Sequence, residues 1–332
     1  MNMLVTGATG FLGQKLALRL VQMGHEVTGI GRNKEIGEKL AAKGITFVQA
    51  YLENKEQIIH LCKNRDYVFH SGALSSPWGK YNDFYQANVL GTKNVIAGCM
   101  THGVKRLIHV STPSLYFFYD EKKDVKETDL GAPTKFVNYY AKTKYLAELE
   151  IDQAFKEGLP VITIRPRALF GPGDNAILPR LIKVCEKGVF PKIGSGNVEV
   201  DITYVENVVD ALLLCMTSNN ETLGQKYNIT NGVRVNLYEM IEKVMGMLGK
   251  SVTYKNISFK KAFLIANLLE KGSSIFLGGK EPILTKYTVS VLSQSQTLNI
   301  EKAQTELGYN PRVSIDQGIR EFVDWWKLKN DN

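Results

Sequence analysis

The stretch "MLVTGATGFLGQKLALRLVQMG", residues 3–24, decides the fold. It opens as an apolar, β-rich run and continues as a helical pattern, and the junction "TGATGFLG" (6–13) carries Gly7, Gly10 and Gly13. Glycines at this spacing permit a tight turn, bring backbone N–H groups close to a pyrophosphate, and let the following helix pack tightly. The positive end of the helix dipole adds to anion binding. A strand that turns into a helix in this way reads as the start of a dinucleotide-binding unit.

The alternation continues outward. "EVTGI" (26–30), "ITFVQ" (45–49), "DYVFH" (66–70), "RLIHVS" (106–111) and "PVITIR" (160–165) are further strand candidates, with helical patterns between them. This order predicts βαβ units and an α/β fold, a Rossmann-type doubly wound parallel sheet. Beyond Arg165 the regularity ends. "RPRALFGPGDNAILPRL" is rich in Pro and Gly, "YVENVVDALLLCM" and "NLYEMIEKVMGMLG" are amphipathic helices, and "QKYNIT" reads as a strand between them. The expected division is a nucleotide-binding domain over 1–168 and a smaller, mostly helical substrate-binding region over 169–332. Within the latter, about 203–230 should return to pack on the sheet.

The length of 332 residues allows a sizeable core. The charge of +8, from 41 basic and 33 acidic residues, is scattered in short pairs such as Lys122-Lys123. That pattern argues against nucleic acid and suits an anionic ligand such as a phosphorylated cofactor. Cys62, Cys99, Cys185 and Cys215 have none of the spacings of zinc sites or redox pairs, so no metal is expected and the thiols read as reduced core residues. No secretory pattern opens the chain, and a cytoplasmic location is expected. The longest nearly pure apolar run, "AFLIANLL" (262–269), falls short of the roughly 18 residues a spanning helix needs.

After the second strand, "GIGRN" (29–33) offers Gly31 and Arg32 where an NAD site usually presents an acid to the ribose 2′-hydroxyl. Gly31 leaves that position empty, and a guanidinium suits a 2′-phosphate, which favours NADP while leaving NAD possible. Tyr-x-x-x-Lys occurs three times, at Tyr51/Lys55, Tyr119/Lys123 and Tyr140/Lys144. On a helix such a pair shares one face, and the lysine can draw the tyrosine proton toward neutral pH.

Taken together, "TGATGFLG", "ANVLGTKNV" (87–95), "VSTPSLY" (110–116), "YYAKTK" (139–144) and "RPRALFGPGD" (165–174) resemble the extended short-chain dehydrogenase/reductase family, over nearly the full length. "SPWG" (76–79), "FVNYYAKTK", "ITYVENVVDA" (202–211) and the tail "ELGYNPRVSIDQGIREFVDWW" (306–326) resemble its 3β-hydroxysteroid dehydrogenase-like branch, which includes reductases of 2-alkyl-3-oxoalkanoic acids and sterol dehydrogenases. The resemblance selects Tyr140 and Lys144 as the Tyr-Lys pair; Tyr51/Lys55 spans a strand end, and Tyr119/Lys123 lies in the charged loop "YDEKKD". It implies hydride transfer between a nicotinamide and a secondary alcohol or ketone, with Tyr140 as general acid or base. Lys144 would lower the tyrosine pKa and hold the ribose. Thr112 would bind the substrate oxygen, with Ser111 and Ser114 as rivals. Asn88 matches the family's helix asparagine, and a buried amide tying helix to strand is an equal reading. Further implied cofactor contacts are Gly7, Thr9, Gly10, Phe11, Leu12, Gly13, Arg32, Leu52, Ser71, Gly72, Ala73, Tyr140, Lys144 and Pro166. Tyr51 stands where relatives often have an aspartate for the adenine amine, and an aromatic ring there can stack on the purine.

The implied substrate is a small hydrophobic 3-keto or 3-hydroxy compound. Two alternatives remain. A nucleotide-sugar epimerase or reductase would carry an arginine where Val200 precedes Asp201, and a dehydratase an acidic pair where Pro113-Ser114 follows Thr112. A non-catalytic NADP-sensing protein would generally lack the Tyr140/Lys144 pair. In "ISFKKAFLIANLLEKGSSIFLGG" (257–279), Phe259, Phe263, Leu264 and Leu268 fall at helical spacing and read as a core stripe, a lid, or a surface helix in peripheral contact with lipid. Trp78 and "LYFFYD" (115–120) read as pocket walls or interdomain packing. The family further implies a homodimer through the helices carrying Asn88 and Tyr140.

Overall fold

The computed structural model describes residues 1–276 and 279–330. Leu277 and Gly278 of the 257–279 segment, and Asp331 and Asn332, lie outside the described residues.

Seven strands form the main sheet: β1 (Asn2–Thr6), β2 (Glu26–Gly31), β3 (Thr46–Gln49), β4 (Tyr67–His70), β5 (Arg106–Val110), β6 (Val161–Pro166) and β7 (Lys226–Ile229). All pair in parallel, in the order β3-β2-β1-β4-β5-β6-β7. The sequence-expected strands lie within about one residue of these limits, inside the usual uncertainty of element ends. Helices α1 (Phe11–Gln22), α2 (Lys34–Ala41), α3 (Lys55–Leu61), α4 (Gly91–His102) and α5 (Tyr139–Lys156) lie between successive strands, and α6 (Val205–Thr217) precedes β7.

Period-two alternation splits β1 between two cores. Met3 and Val5 pack with Leu16 and Leu20 of α1 and Val208 and Leu212 of α6. Leu4 points the other way, to Ile58 of α3, Val95 and Cys99 of α4 and Ile151 of α5. β1 is thus buried on both faces, as the central strand of a parallel sheet requires, whereas the edge strand β3 is only partly covered. The strand order reverses between β1 and β4, which opens a crevice at their carboxyl ends. Cys62 and Cys99, distant in sequence, meet in the second core, where hydrogen bonding to Cys62 and then burial hold the Cys99 thiol in its protonated form.

A third core, including Phe190, Tyr238, Ile241 and Phe322, lies in the C-terminal half. The two halves are stitched by a small sheet in which Lys122–Val125 pairs with Gln296–Leu298. The loop expected around "YDEKKD" is therefore partly a strand. Its lysines do not prevent pairing because this is an edge strand, where charged side chains reach solvent; Lys123 Nζ sits 2.7 Å from Glu199.

Candidate active site

The glycine turn between β1 and α1 is built without side chains. Gly7 has φ +69°, and a Cβ there would come within 2.7 Å of Gly72 Cα. A Cβ on Gly13 would lie 2.2 Å from the Gly7 carbonyl oxygen. Across the crevice, the Ser71 hydroxyl donates to the Thr6 carbonyl at 2.7 Å, and Gly72 N–H donates to Thr6 Oγ1 at 3.0 Å. The ends of β1 and β4 are clamped in this way. Asn33, Asn54 and Asn138 cap α2, α3 and α5, whereas α1 begins behind Gly10 with no side-chain cap and no acid in its first turn. First-turn N–H groups left without a side-chain cap beside glycines fit a dinucleotide pyrophosphate.

The other residues with implied cofactor contacts border this turn to differing degrees. Leu12 is buried in the sheet core, so what it can offer a ligand is its N–H. Phe11 is half-buried beside Gly173, and Leu52 packs against Gly91 while its carbonyl accepts from Asn94 at 2.8 Å. Ala73 continues the loop after Gly72, and Pro166 is buried at the end of β6. The position at Gly31 is not vacant as the sequence suggested. A Cβ there would stand 2.4 Å from Thr9 Oγ1, so Thr9 already fills the space. Arg32 is exposed and, among the described residues, enters no ion pair; Tyr51 is exposed as well.

Tyr140 lies in the first turn of α5, started by Asn138, whose side chain accepts from Ala141 N–H at 2.8 Å. Its hydroxyl lies near Ser75 and Thr112, both of which favour its ionised form. Thr112 Oγ1 in turn donates to Ser114 Oγ at 3.1 Å. The Ser111 hydroxyl is buried and, among the described residues, makes no hydrogen bond. The structure thus brings Thr112 and Ser75 to Tyr140, and Ser75 was not anticipated from sequence.

Lys144 is buried one turn along α5. Its Nζ donates to the Val110 carbonyl at 2.6 Å and sits 3.4 Å from His109 Nε2. The expected pull of this cation on the Tyr140 proton is absent: burial dominates and holds Tyr140 above its ordinary pKa, while Ser75 and Thr112 act in the opposite direction. Burial likewise lowers Lys144 to about 8, opposed by Glu148. Behind the lysine, His70 and His109 are register partners on β4 and β5, with ring centroids 5.3 Å apart. Burial, and secondarily the Lys144 charge, lowers both, His70 to about 3, so both rings are neutral. Thr6 and Thr92 hold His70 at 2.8 and 3.0 Å.

Asn88 lies in a π-helical stretch, Tyr85–Leu90, that leads into α4. Its side chain accepts from Leu74 N–H at 2.7 Å and donates to the Leu74 carbonyl and to Thr143 Oγ1. In this structure Asn88 is the tie between the β4 loop, α4 and α5.

Beside Ser114, the partner of Thr112, a small cleft is lined by Phe117, Val137, Arg167, Tyr287, Ser290 and Gln296. Trp78 Nε1 donates to the Gly279 carbonyl at 2.7 Å, and Tyr119 meets Phe263 edge-on at 5.4 Å, so both aromatics join the two halves of the chain. In the helix Phe259–Phe276, Ala262 and Ala266 face the core while Leu264 and Leu268 are each 60% exposed. Of the four residues at helical spacing, Phe259 and Phe263 thus pack against the third core, while Leu264 and Leu268 turn outward.

Residues 3–230 match the NAD dependent epimerase/dehydratase family. The chain is 34% identical over 330 residues to a 2-alkyl-3-oxoalkanoate reductase of Stenotrophomonas maltophilia, covering 97% of this chain and 98% of that protein. It is 30% identical over 330 residues to a mouse decarboxylating sterol-4-alpha-carboxylate 3-dehydrogenase, covering 96% and 89%. Among solved structures, the UDP-glucuronic acid 4-epimerase of Bacillus cereus in complex with NAD superposes with a TM-score of 0.79 at 23% identity, covering 100% of this chain and 98% of that one, a likeness of fold. With the glycine turn and the Tyr140/Lys144 helix in place, this match places the chain in the NAD-dependent epimerase/dehydratase family of extended short-chain dehydrogenases/reductases.

Proposed function

We propose that this protein is an NADP-preferring oxidoreductase acting on a hydrophobic 3-keto or 3-hydroxy compound, such as a β-keto acid, an alicyclic ketone or a sterol-like molecule. The observation that carries the reading is the Tyr140 hydroxyl set beside Thr112 and Ser75, with Lys144 one turn away, at the carboxyl end of the sheet. A bound nicotinamide cofactor would supply or accept the hydride. Tyr140 transfers the proton, and its raised pKa keeps it protonated and ready to donate in the reductive direction. Thr112 and Ser75 orient that hydroxyl and stabilise charge developing on the substrate oxygen. Lys144 would hold the nicotinamide ribose, its amine positioned by His109 and the Val110 carbonyl. The cofactor would rest on the turn of Gly7, Gly10 and Gly13, and Tyr287, Ser290 and Gln296 bring residues of the C-terminal half to the cleft.

The relatives' names, an oxoalkanoate reductase and a sterol-carboxylate dehydrogenase, support this choice over a sugar nucleotide. So does Val200, which is buried in a short strand and offers no charge to a diphosphate. The test is NADPH oxidation by the purified protein with β-keto acids and hydrophobic ketones in one panel and UDP- and dTDP-sugars in another. Turnover confined to the second panel, or none in either, would overturn the reading.

Two further parts of the proposal have their own tests. Arg32 is free to meet a 2′-phosphate, so Arg32→Glu is expected to weaken NADP roughly 30-fold or more while sparing NAD. Isothermal titration with each cofactor reads the ratio, and an unchanged ratio removes the assignment. Met100 on α4 and Leu149 and Phe155 on α5 leave apolar side chains exposed, which supports a homodimer through these helices. Sedimentation velocity at micromolar concentration is expected to give the dimer; a monomer ends this part.

A further inference from the structure

Two arginines stand two residues apart at the end of β6, and they are treated oppositely. Arg165 is fully buried and neutralised by Glu148. Arg167 lines the cleft that begins at Ser114 and, among the described residues, has no carboxylate within ion-pair distance. Its guanidinium lies 4.8 Å over the Phe117 ring and donates to Gln296 Oε1 at 2.6 Å. Burial disfavours its charge; Tyr287 and Asp201 favour it from farther off. Asp201 is committed elsewhere, accepting from Leu298 N–H at 2.6 Å. A half-buried cation with one neutral partner retains donors for an anion.

The cation also has the right neighbours. Ser114 links the cleft to Thr112, and Tyr287 is close enough to influence both Tyr140 and Arg167. Phe117 and Val137 make the adjoining wall apolar. We propose that Arg167 is the carboxylate anchor of the active site, so that the substrate is a 3-oxo or 3-hydroxy acid held by its carboxylate at Arg167 while its C3 oxygen meets Tyr140 and Thr112. In such an acid the carboxylate is separated from C3 by a single carbon, which suits two polar contacts on either side of Ser114, one at Thr112 and one in the Arg167 cleft. This inference rests on the proposed oxidoreductase reading and narrows its substrate class. Gln296 and Phe117 are positioning residues that keep the guanidinium plane fixed.

The test compares 3-hydroxydecanoate with its methyl ester in the oxidative direction, using whichever nicotinamide cofactor the protein accepts. Arg167→Met is expected to raise KM for the acid about 30-fold or more, with kcat much less affected and the ester's constants little changed. Arg167→Lys should recover part of the loss for the acid. Equal effects on acid and ester, or none on either, would overturn the anchor while leaving the oxidoreductase reading intact. Wild-type turnover of sugar nucleotides alone would remove the reading and the anchor together. Ester turnover and thermal unfolding report whether the variant is folded. If it is not, inhibition of the wild type decides: decanoate should compete far better than decan-1-ol, and equal inhibition would overturn the proposal.

Discussion

Replacing Tyr140 with phenylalanine is expected to lower turnover by about 10²–10⁴-fold and to leave cofactor affinity unchanged. The hydroxyl lies near Ser75 and Thr112, on α5 and away from the glycine turn, so its removal takes away the proton donor without disturbing that turn. Cofactor titration and single-turnover hydride transfer, measured on the same preparation, separate the two effects. Wild-type turnover in the variant would remove Tyr140 from the mechanism. The wild-type pH profile adds a second reading. Burial lowers Lys144 to about 8, so its ammonium is present below that pH and is lost above it. In the reductive direction kcat/KM, which reports the free enzyme, should be level through neutral pH and fall above about 8. Lys144→Met should lack that limb.

What was legible in the sequence is local. The spacing of Gly7, Gly10 and Gly13 fixes a turn over eight residues, "TGATGFLG", and the four-residue step from Tyr140 to Lys144 fixes a shared helix face. Ser75 was not legible because a serine in a loop carries no periodicity, and only the fold brings it to Tyr140. The His70 and His109 pair needs the register of β4 on β5, and both residues look like ordinary strand ends in sequence. Thr9 occupies the space left by Gly31 because the turn after β1 lies over the end of β2, a contact between segments about twenty residues apart. The three readings open for Phe259, Phe263, Leu264 and Leu268 could not be separated in sequence for a related reason: Phe259 and Phe263 pack against the third core, while Leu264 and Leu268 are exposed. Spacing identifies a face, but the partner decides which face is buried, and here the smaller Ala262 and Ala266 permit the closer approach. Arg165 and Arg167 could not be told apart until Glu148 and the cleft were located.

The largest effect on stability is expected at Arg165. Its guanidinium donates to both oxygens of Glu148, at 2.9 and 2.5 Å, with both side chains 1% exposed, and it also donates to the Tyr116 hydroxyl. Removing one partner of such a pair leaves a charge buried, which costs about 3–5 kcal/mol. Arg165→Met should therefore lower the melting temperature by roughly 5–15 °C. Replacing both residues, as in Arg165→Met with Glu148→Leu, should recover much of the loss, because two apolar side chains leave no charge unpaired. The pH dependence carries the sign. In the wild type, burial opposes ionisation of Glu148, but Arg165, aided by Lys226, outweighs it and holds the carboxyl below its ordinary value. That contribution is complete above the ordinary glutamate range and is lost as the pH falls through the lowered value. Without Arg165 the burial effect is weakly opposed, the folded state binds a proton more readily than the unfolded chain, and stability should rise as the pH falls from 7 toward 5. Thermal unfolding of both proteins across that range reads the two slopes. A variant that melts with the wild type, or whose stability shows none of this rise between pH 7 and 5, would show that Glu148 is adequately paired by Lys226 at 3.6 Å and that Arg165 is dispensable to the fold.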